Sequence, residues 1–220
     1  MLLSEERKTV AYYGKKLITS GLVKGTGGNI SLVNTAKTLL AITPSGVEYN
    51  QFGPEDVVVV DMDGKRVEGH LNPSSELAFH LALVKQRSDI KAVVHTHSDY
   101  ATALACLRWE LPPVHYLIGS AGYVVPLAPY ATFGTQALAD GICQTIGEGY
   151  AVLLANHGLV TVGGNLQKAF STAEYIEYVA KIYLMTKSVG IPVLLGMEEM
   201  RAVIEKFENY GQQPGTENDG

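Results

Sequence analysis

The chain has 220 residues, 46% of them hydrophobic and 18% charged, with a formal net charge of −5. That is the composition of a soluble globular domain with enough chain to bury a core, and it gives no reason to expect nucleic acid or an anionic membrane as partner. Two cysteines, Cys106 and Cys143, are too few for a disulfide framework, and no run of 18 apolar residues is present to span a bilayer. The N-terminus is charged from the start and has no signal-peptide core, so a reducing cytoplasm is the expected setting.

Taken in order, Ser4 is placed to cap a helix over about 5–19, with Val10, Tyr13, Leu17 and Ile18 on one face. Lys24-Gly25-Thr26-Gly27-Gly28-Asn29-Ile30-Ser31 is a glycine-dense turn feeding a strand over 30–33. Such a turn lets backbone N–H groups converge on an anion. It matches neither a Walker A loop nor a dinucleotide fingerprint, because no Gly-Lys-Ser/Thr follows and it precedes a strand instead of following one. A strand over 38–42 runs into Thr43-Pro44-Ser45-Gly46, a second turn with hydroxyls. Residues 57–60 and 65–67 flank Asp61-Met62-Asp63-Gly64 and read as a β-hairpin. Pro73-Ser74-Ser75-Glu76 opens a helix over 75–86 whose buried side is Leu77, Phe79, Leu81 and Val84. The serines have plain capping chemistry. Two hydroxyls at a helix N-terminus also suit a phosphate, and a glutamate there suits a base or a metal ligand.

The organising stretch is Ala92-Val93-Val94-His95-Thr96-His97-Ser98. The run is short and β-branched, which favours a strand, and residues two apart on a strand face the same way. His95 and His97 therefore present two imidazoles to one point, as a divalent metal such as zinc requires. A second apolar run, Ala151 to Ala155, ends in Asn156-His157-Gly158. It delivers a third histidine, with a glycine permitting close backbone approach. Three protein ligands with one position left for substrate is the catalytic zinc pattern. Of the remaining histidines, His70 and His80 read as surface or helix-face residues, and His115 is undecided. Further elements are a helix over 99–108, an extended passage over 109–116 ending in an exposed Tyr116, and a rigid loop over 126–134. Then come a helix over 135–146, a hairpin partner over 159–162, a long helix over 166–189 broken by Pro192, and a last helix over 197–208. The polar end from 212 to 220 reads as a loose tail. With no repeat and no linker, the chain reads as one domain, helices flanking a mixed or antiparallel sheet.

Five motifs in this order carry a resemblance: Gly25-Thr-Gly-Gly-Asn-Ile-Ser, Thr43-Pro-Ser-Gly, Pro73-Ser-Ser-Glu, His95-Thr-His and Asn156-His-Gly. Together they resemble the class II aldolase/adducin family. Val114-His-Tyr-Leu-Ile, Ala128-Pro-Tyr-Ala-Thr-Phe-Gly-Thr and Phe207-Glu-Asn-Tyr-Gly narrow the likeness to its L-fuculose-1-phosphate aldolase branch, with the similar 5-deoxyribulose-1-phosphate aldolases. The resemblance implies a three-layer α/β/α sandwich around a mostly antiparallel sheet, spanning 1–211 as one domain with a tail over 212–220. It also implies a cytoplasmic homotetramer with active sites between subunits. It implies Zn²⁺ on His95, His97 and His157, a donor set that Co²⁺ or Mn²⁺ can also occupy, with Glu76 as acid/base and as a fourth ligand while the site is empty. Asn29, Ser45, Gly46, Ser74 and Ser75 would hold the phosphate of a phosphorylated sugar. Tyr116 of a neighbouring subunit would meet the aldehyde oxygen, and Tyr210 would close the site.

The implied reaction cleaves a ketose 1-phosphate to dihydroxyacetone phosphate and a short aldehyde, lactaldehyde or acetaldehyde. The family also holds a ribulose-5-phosphate 4-epimerase, a methylthioribulose-1-phosphate dehydratase and non-catalytic adducin-like members. The epimerase pattern carries an aspartate where this chain reads Tyr116-Leu-Ile-Gly-Ser-Ala-Gly. The structural members lack the metal histidines, all three of which are present here.

Overall fold

The computed structural model of the chain describes residues 1–208. They run α1 (Ser4–Thr19), β1 (Asn29–Val33), β2 (Leu39–Ile42), β3 (Val58–Asp61), β4 (Arg66–Glu68), α2 (Leu77–Gln86) and β5 (Ala92–Thr96). There follow α3 (Asp99–Cys106), β6 (Leu127–Ala128), α4 (Gln136–Ile146), β7 (Ala151–Leu154), β8 (Gly158–Gly163), α5 (Leu166–Val189) and α6 (Met197–Glu208). The eight strands make one sheet in the order β4-β3-β2-β1-β5-β8-β7-β6. Every neighbouring pair is antiparallel except β6 with β7, which is parallel and joined through α4. A parallel pair needs such a crossover, whereas antiparallel neighbours can be joined by tight turns.

Side-chain alternation splits the core between the two faces of the sheet. On β5, Ala92 and Val94 belong to the core on the side of α1, α3 and α5, which also holds Leu17, Leu104 and Phe170. Val93 faces the other way, toward Phe79 and Leu83 of α2 and Leu138 and Ile142 of α4. Helices thus cover both faces, the three-layer arrangement the resemblance implies. Each fully buried large side chain, such as Phe79 or Phe170, stabilises the fold by about 1.5–3 kcal/mol relative to an exposed one. No described helix is long and apolar enough to cross a membrane.

Three local expectations are corrected. Ser4 lies inside α1, with Leu3 at the cap position in a left-handed conformation (φ 51°) and Ile18 at the exposed side. The passage over 126–134 contains the two-residue strand β6, too short to leave a periodic signal. α2 begins at Leu77 instead of residue 75, because the Ser74 hydroxyl accepts from the Glu76 N–H at 3.2 Å and closes a turn ahead of the helix. Tyr210 and the tail over 212–220 lie outside the described residues.

Candidate metal centre

His95 is the penultimate residue of β5, in the middle of the sheet, paired with Asn29 of β1 on one side and Val160 of β8 on the other. It follows Val93 on the face toward α2, and its ring meets Phe79 edge-on at 5.7 Å. His97 lies just past the strand end, its backbone N–H bonded to the Leu22 carbonyl at 3.1 Å. His157 stands in the tight β7–β8 turn, after Asn156 in a left-handed conformation (φ 55°), with its N–H returned to Leu154 at 2.9 Å. The three rings offer nitrogens that all lie within 4.8 Å of one another.

Glycines make the approach possible at two points. A Cβ on Gly158 would stand 2.2 Å from the Thr96 carbonyl oxygen, so β8 could not sit as close to β5. Gly28 has φ +70°, and a Cβ there would lie 2.6 Å from the His95 carbonyl oxygen. The glycine-dense turn is therefore pressed against the histidine strand, and the Tyr49 hydroxyl holds it by donating to the Gly28 carbonyl at 2.8 Å.

The donor set fits a divalent cation. His95 Nδ1 donates to the Leu159 carbonyl at 3.0 Å, which leaves its Nε2 bare. That Nε2 lies 2.9 Å from His97 Nε2 and 3.3 Å from Glu76 Oε2, while His157 Nε2 lies 3.5 Å from Glu76 Oε1. Burial holds His95 well below its ordinary pKa, helped by the neighbouring His97 and His157. Burial also lowers His97 and His157, the latter against the pull of Glu76. Neutral imidazoles are the form that binds metal. Glu76 is shifted the other way: burial raises its carboxyl, opposed by the Asn29 hydrogen bond and by His157. Its Oε1 is buried with no hydrogen-bond partner, an acceptor facing the cluster that a cation or a water bound there would satisfy.

The hydroxyl loops meet beside Glu76. Pro44 and Pro73 form an isolated antiparallel bridge, the Ser45 N–H bonds to the Asn72 carbonyl at 3.0 Å, and the Ser74 N–H bonds to Thr43 at 3.1 Å. Ser45, Gly46, Ser74 and Ser75 are thereby carried on two joined loops. Asn29 is less free than its expected role assumes, since its amide Nδ2 donates to Glu76 Oε2 at 2.8 Å. Tyr116 is 53% exposed and stacks on Phe207 at 6.4 Å and against His115 at 4.8 Å. His115 itself caps the 3₁₀ turn Tyr116–Ser120 by accepting from the Leu117 N–H.

The sequence and the fold are shared with known proteins. The class II aldolase and adducin N-terminal domain matches residues 8–184. The chain belongs to the class II aldolase and adducin family. It is 54% identical over 213 residues to a 5-deoxy-D-ribulose 1-phosphate aldolase of Bacillus thuringiensis serovar kurstaki, covering 97% of this chain and 100% of that one. It is 41% identical over 193 residues to an L-fuculose phosphate aldolase of Escherichia coli, covering 87% and 88%. Among solved structures, an L-fuculose 1-phosphate aldolase superposes with a TM-score of 0.92 at 47% identity, covering 94% of this chain and 98% of that one. These relatives of the class II aldolase family are carbon–carbon lyases, and the chain is one of them.

His70 is exposed, 3.6 Å from Asp56, as expected. His80 is not a surface residue. It is fully buried, between Ser31 and Asn29. Its place on the helix was legible, but Glu76, four residues before it, lies ahead of the helix, so that spacing gives no signal of the burial.

Proposed function

We propose that this class II aldolase reversibly cleaves 5-deoxyribulose 1-phosphate to dihydroxyacetone phosphate and acetaldehyde, with L-fuculose 1-phosphate as a slower substrate yielding lactaldehyde. The observation that carries the substrate is the 54% identity, end to end, with a relative of that name, against 41% for an L-fuculose phosphate aldolase. His95, His97 and His157 would hold Zn²⁺, with Co²⁺ or Mn²⁺ able to replace it in this donor set. When bound, the ion supplies Lewis-acid stabilisation of the negative charge that cleavage leaves on the ketose oxygens.

The remaining work falls to the chain. Ser45, Gly46, Ser74 and Ser75, with the second amide hydrogen of Asn29, bind the phosphate through neutral donors, which suits a protein of net charge −5. As the C3–C4 bond breaks, the electron pair stays with C3, and Glu76 delivers the proton that C3 acquires. Tyr116, contributed by a neighbouring subunit of a cytoplasmic homotetramer, exchanges a proton with the C4 oxygen, giving up its own as it accepts that of the C4 hydroxyl while the aldehyde forms. Tyr210 closes the site over the short aldehyde.

The test is cleavage of 5-deoxyribulose 1-phosphate and L-fuculose 1-phosphate side by side, followed by dihydroxyacetone phosphate release before and after chelation and zinc restoration. A higher kcat/KM for the deoxy sugar is expected, lost on chelation and regained with zinc. A preference for L-fuculose 1-phosphate overturns the substrate choice. No release from either sugar with zinc restored overturns the aldolase assignment.

A further inference from the structure

Behind Glu76 lies a set of buried polar groups to which the reaction above gives no task. His80 is 0% exposed and stacks on Phe79 at 4.5 Å. Both of its ring nitrogens are engaged. Nδ1 is 2.7 Å from Ser31 Oγ, and Nε2 is 2.5 Å from Asn29 Oδ1. Asn29 Nδ2 is in turn 2.8 Å from Glu76 Oε2.

With Glu76 ionised, the directions along this chain of bonds are set from the carboxylate end. An ionised carboxylate only accepts, so the amide N–H of Asn29 must face Oε2. The amide oxygen then accepts from His80, which places the ring proton on Nε2. Nδ1 is left bare and accepts from the Ser31 hydroxyl. Complete burial without a carboxylate on the ring keeps the imidazole neutral, so it has one proton to place. For the ionised carboxylate one arrangement satisfies all four groups, and it pins Oε2. The other oxygen, Oε1, has no hydrogen-bond partner and faces His157.

We propose that His80, backed by Ser31, is a positioning residue that locks the Asn29 amide, anchoring Glu76 through Oε2 and leaving Oε1 as the oxygen that carries the catalytic proton. The inference rests on the reading of Glu76 as the acid/base. Without His80 the Asn29 amide is free to turn by half a rotation and point its carbonyl at the carboxylate, so Glu76 loses its fixed orientation. The alternative is that the network only fills a buried polar gap.

The experiment uses zinc-loaded full-length protein, with zinc content and unfolding midpoint measured for each variant. His80→Phe is expected to keep its zinc and lower kcat by about 10–100-fold, the usual range for a buried supporting partner. The loss should fall mainly on kcat, with a smaller rise in KM because the Asn29 amide also contributes to phosphate binding. His80→Gln, whose amide can present an N–H to Asn29 and an oxygen to Ser31, should recover to within about threefold of wild type. Because the effect runs through Asn29, adding His80→Phe to Asn29→Ala should cost nothing beyond Asn29→Ala alone. Wild-type kcat in His80→Phe, failure of the glutamine to rescue, or multiplied losses in the double variant would each overturn the proposal. Should His80→Phe not fold, Ser31→Ala is read instead: a lowered kcat with zinc retained supports it, and wild-type kcat overturns it. Glu76→Gln run in parallel separates the two readings. Full turnover there removes the acid/base role and this inference with it. A dead Glu76→Gln beside an unaffected His80→Phe removes this inference alone.

Discussion

Glu76 has two oxygens in different surroundings, and its position depends on both. Oε2 accepts from Asn29 at 2.8 Å, while Oε1 is buried without a hydrogen-bond partner, 3.5 Å from His157. Glu76→Gln keeps the shape and an oxygen for Asn29 but cannot carry the proton. It should retain zinc and lose about 10²–10⁴-fold in kcat, the worth of a positioned acid/base, measured by steady-state cleavage beside metal analysis. His80 makes a second prediction, on stability. Burial pushes its pKa down to about 3 from an ordinary 6.5. Between those values the unfolded chain binds a proton that the folded chain does not. The contribution of neutral His80 is therefore fully present above pH 6.5 and is lost as pH falls toward 3. The loss has a slope of about 1.4 kcal/mol per pH unit for one proton. Urea unfolding from pH 7 to 5 should show a shallower pH dependence in His80→Gln than in wild type. Equal slopes would mean that His80 binds its proton equally in both states.

At the scale of elements, the site is made by the close pairing of β5 with β1 and β8. Thr96 opposes Leu159 and Asn29 opposes His95, so three strands deliver Asn29, the two spaced histidines and the turn that carries His157. Gly158 is where that closeness is won, since a Cβ would stand 2.2 Å from the Thr96 oxygen and 3.1 Å from the His97 ring. Gly158→Ala must push the strands apart or turn His97 aside. An overpacked position of this kind costs about 1–3 kcal/mol, and displaced ligand geometry should weaken zinc about 10–100-fold. Denaturant unfolding and zinc titration read these separately. Unchanged zinc affinity would mean that the triad tolerates a wider β5–β8 spacing. α2 contributes in a different way. The turn closed by Ser74 starts the helix at Leu77, and Glu76 is held at the junction facing the histidines instead of along the helix surface.

For the whole molecule, metal binding and folding are linked, because the rings of His95, His97 and His157 come together only in the folded chain. A ligand bound by the native state alone stabilises it by about 2.7 kcal/mol at a free concentration one hundred times its Kd. In a chain of 220 residues that raises Tm by about 5–10 °C. Chelated protein should melt lower by that amount, and zinc should restore both Tm and cleavage. A Tm indifferent to zinc would argue against the three histidines as its ligands. Tyr116 is also understood at this scale. It lies 53% exposed, its ring against His115 and Phe207, an exposure that is consistent with the proposed role at a neighbouring subunit's site.

What the amino-acid sequence determines by itself is whatever depends on short separations. His95 and His97 share a face because a strand repeats every two residues, and Asp61 to Gly64 turns a hairpin because its residues suit the turn. The apolar periods of α4 and α5 are likewise read locally. The tertiary structure alone decided which segments meet. β1 and β8 on either side of β5, the parallel pairing of β6 with β7, and the bridge from Pro44 to Pro73 all join residues far apart in the chain. No local period encodes those pairings, which follow from burying both faces of one sheet. His80 shows the difference most clearly. Its helix was legible, but its burial was not, because the groups that satisfy it, Ser31 and Asn29, come from a strand some 50 residues earlier. A buried polar ring is stable only when partners from elsewhere in the fold complete its hydrogen bonds, and that condition is set in three dimensions.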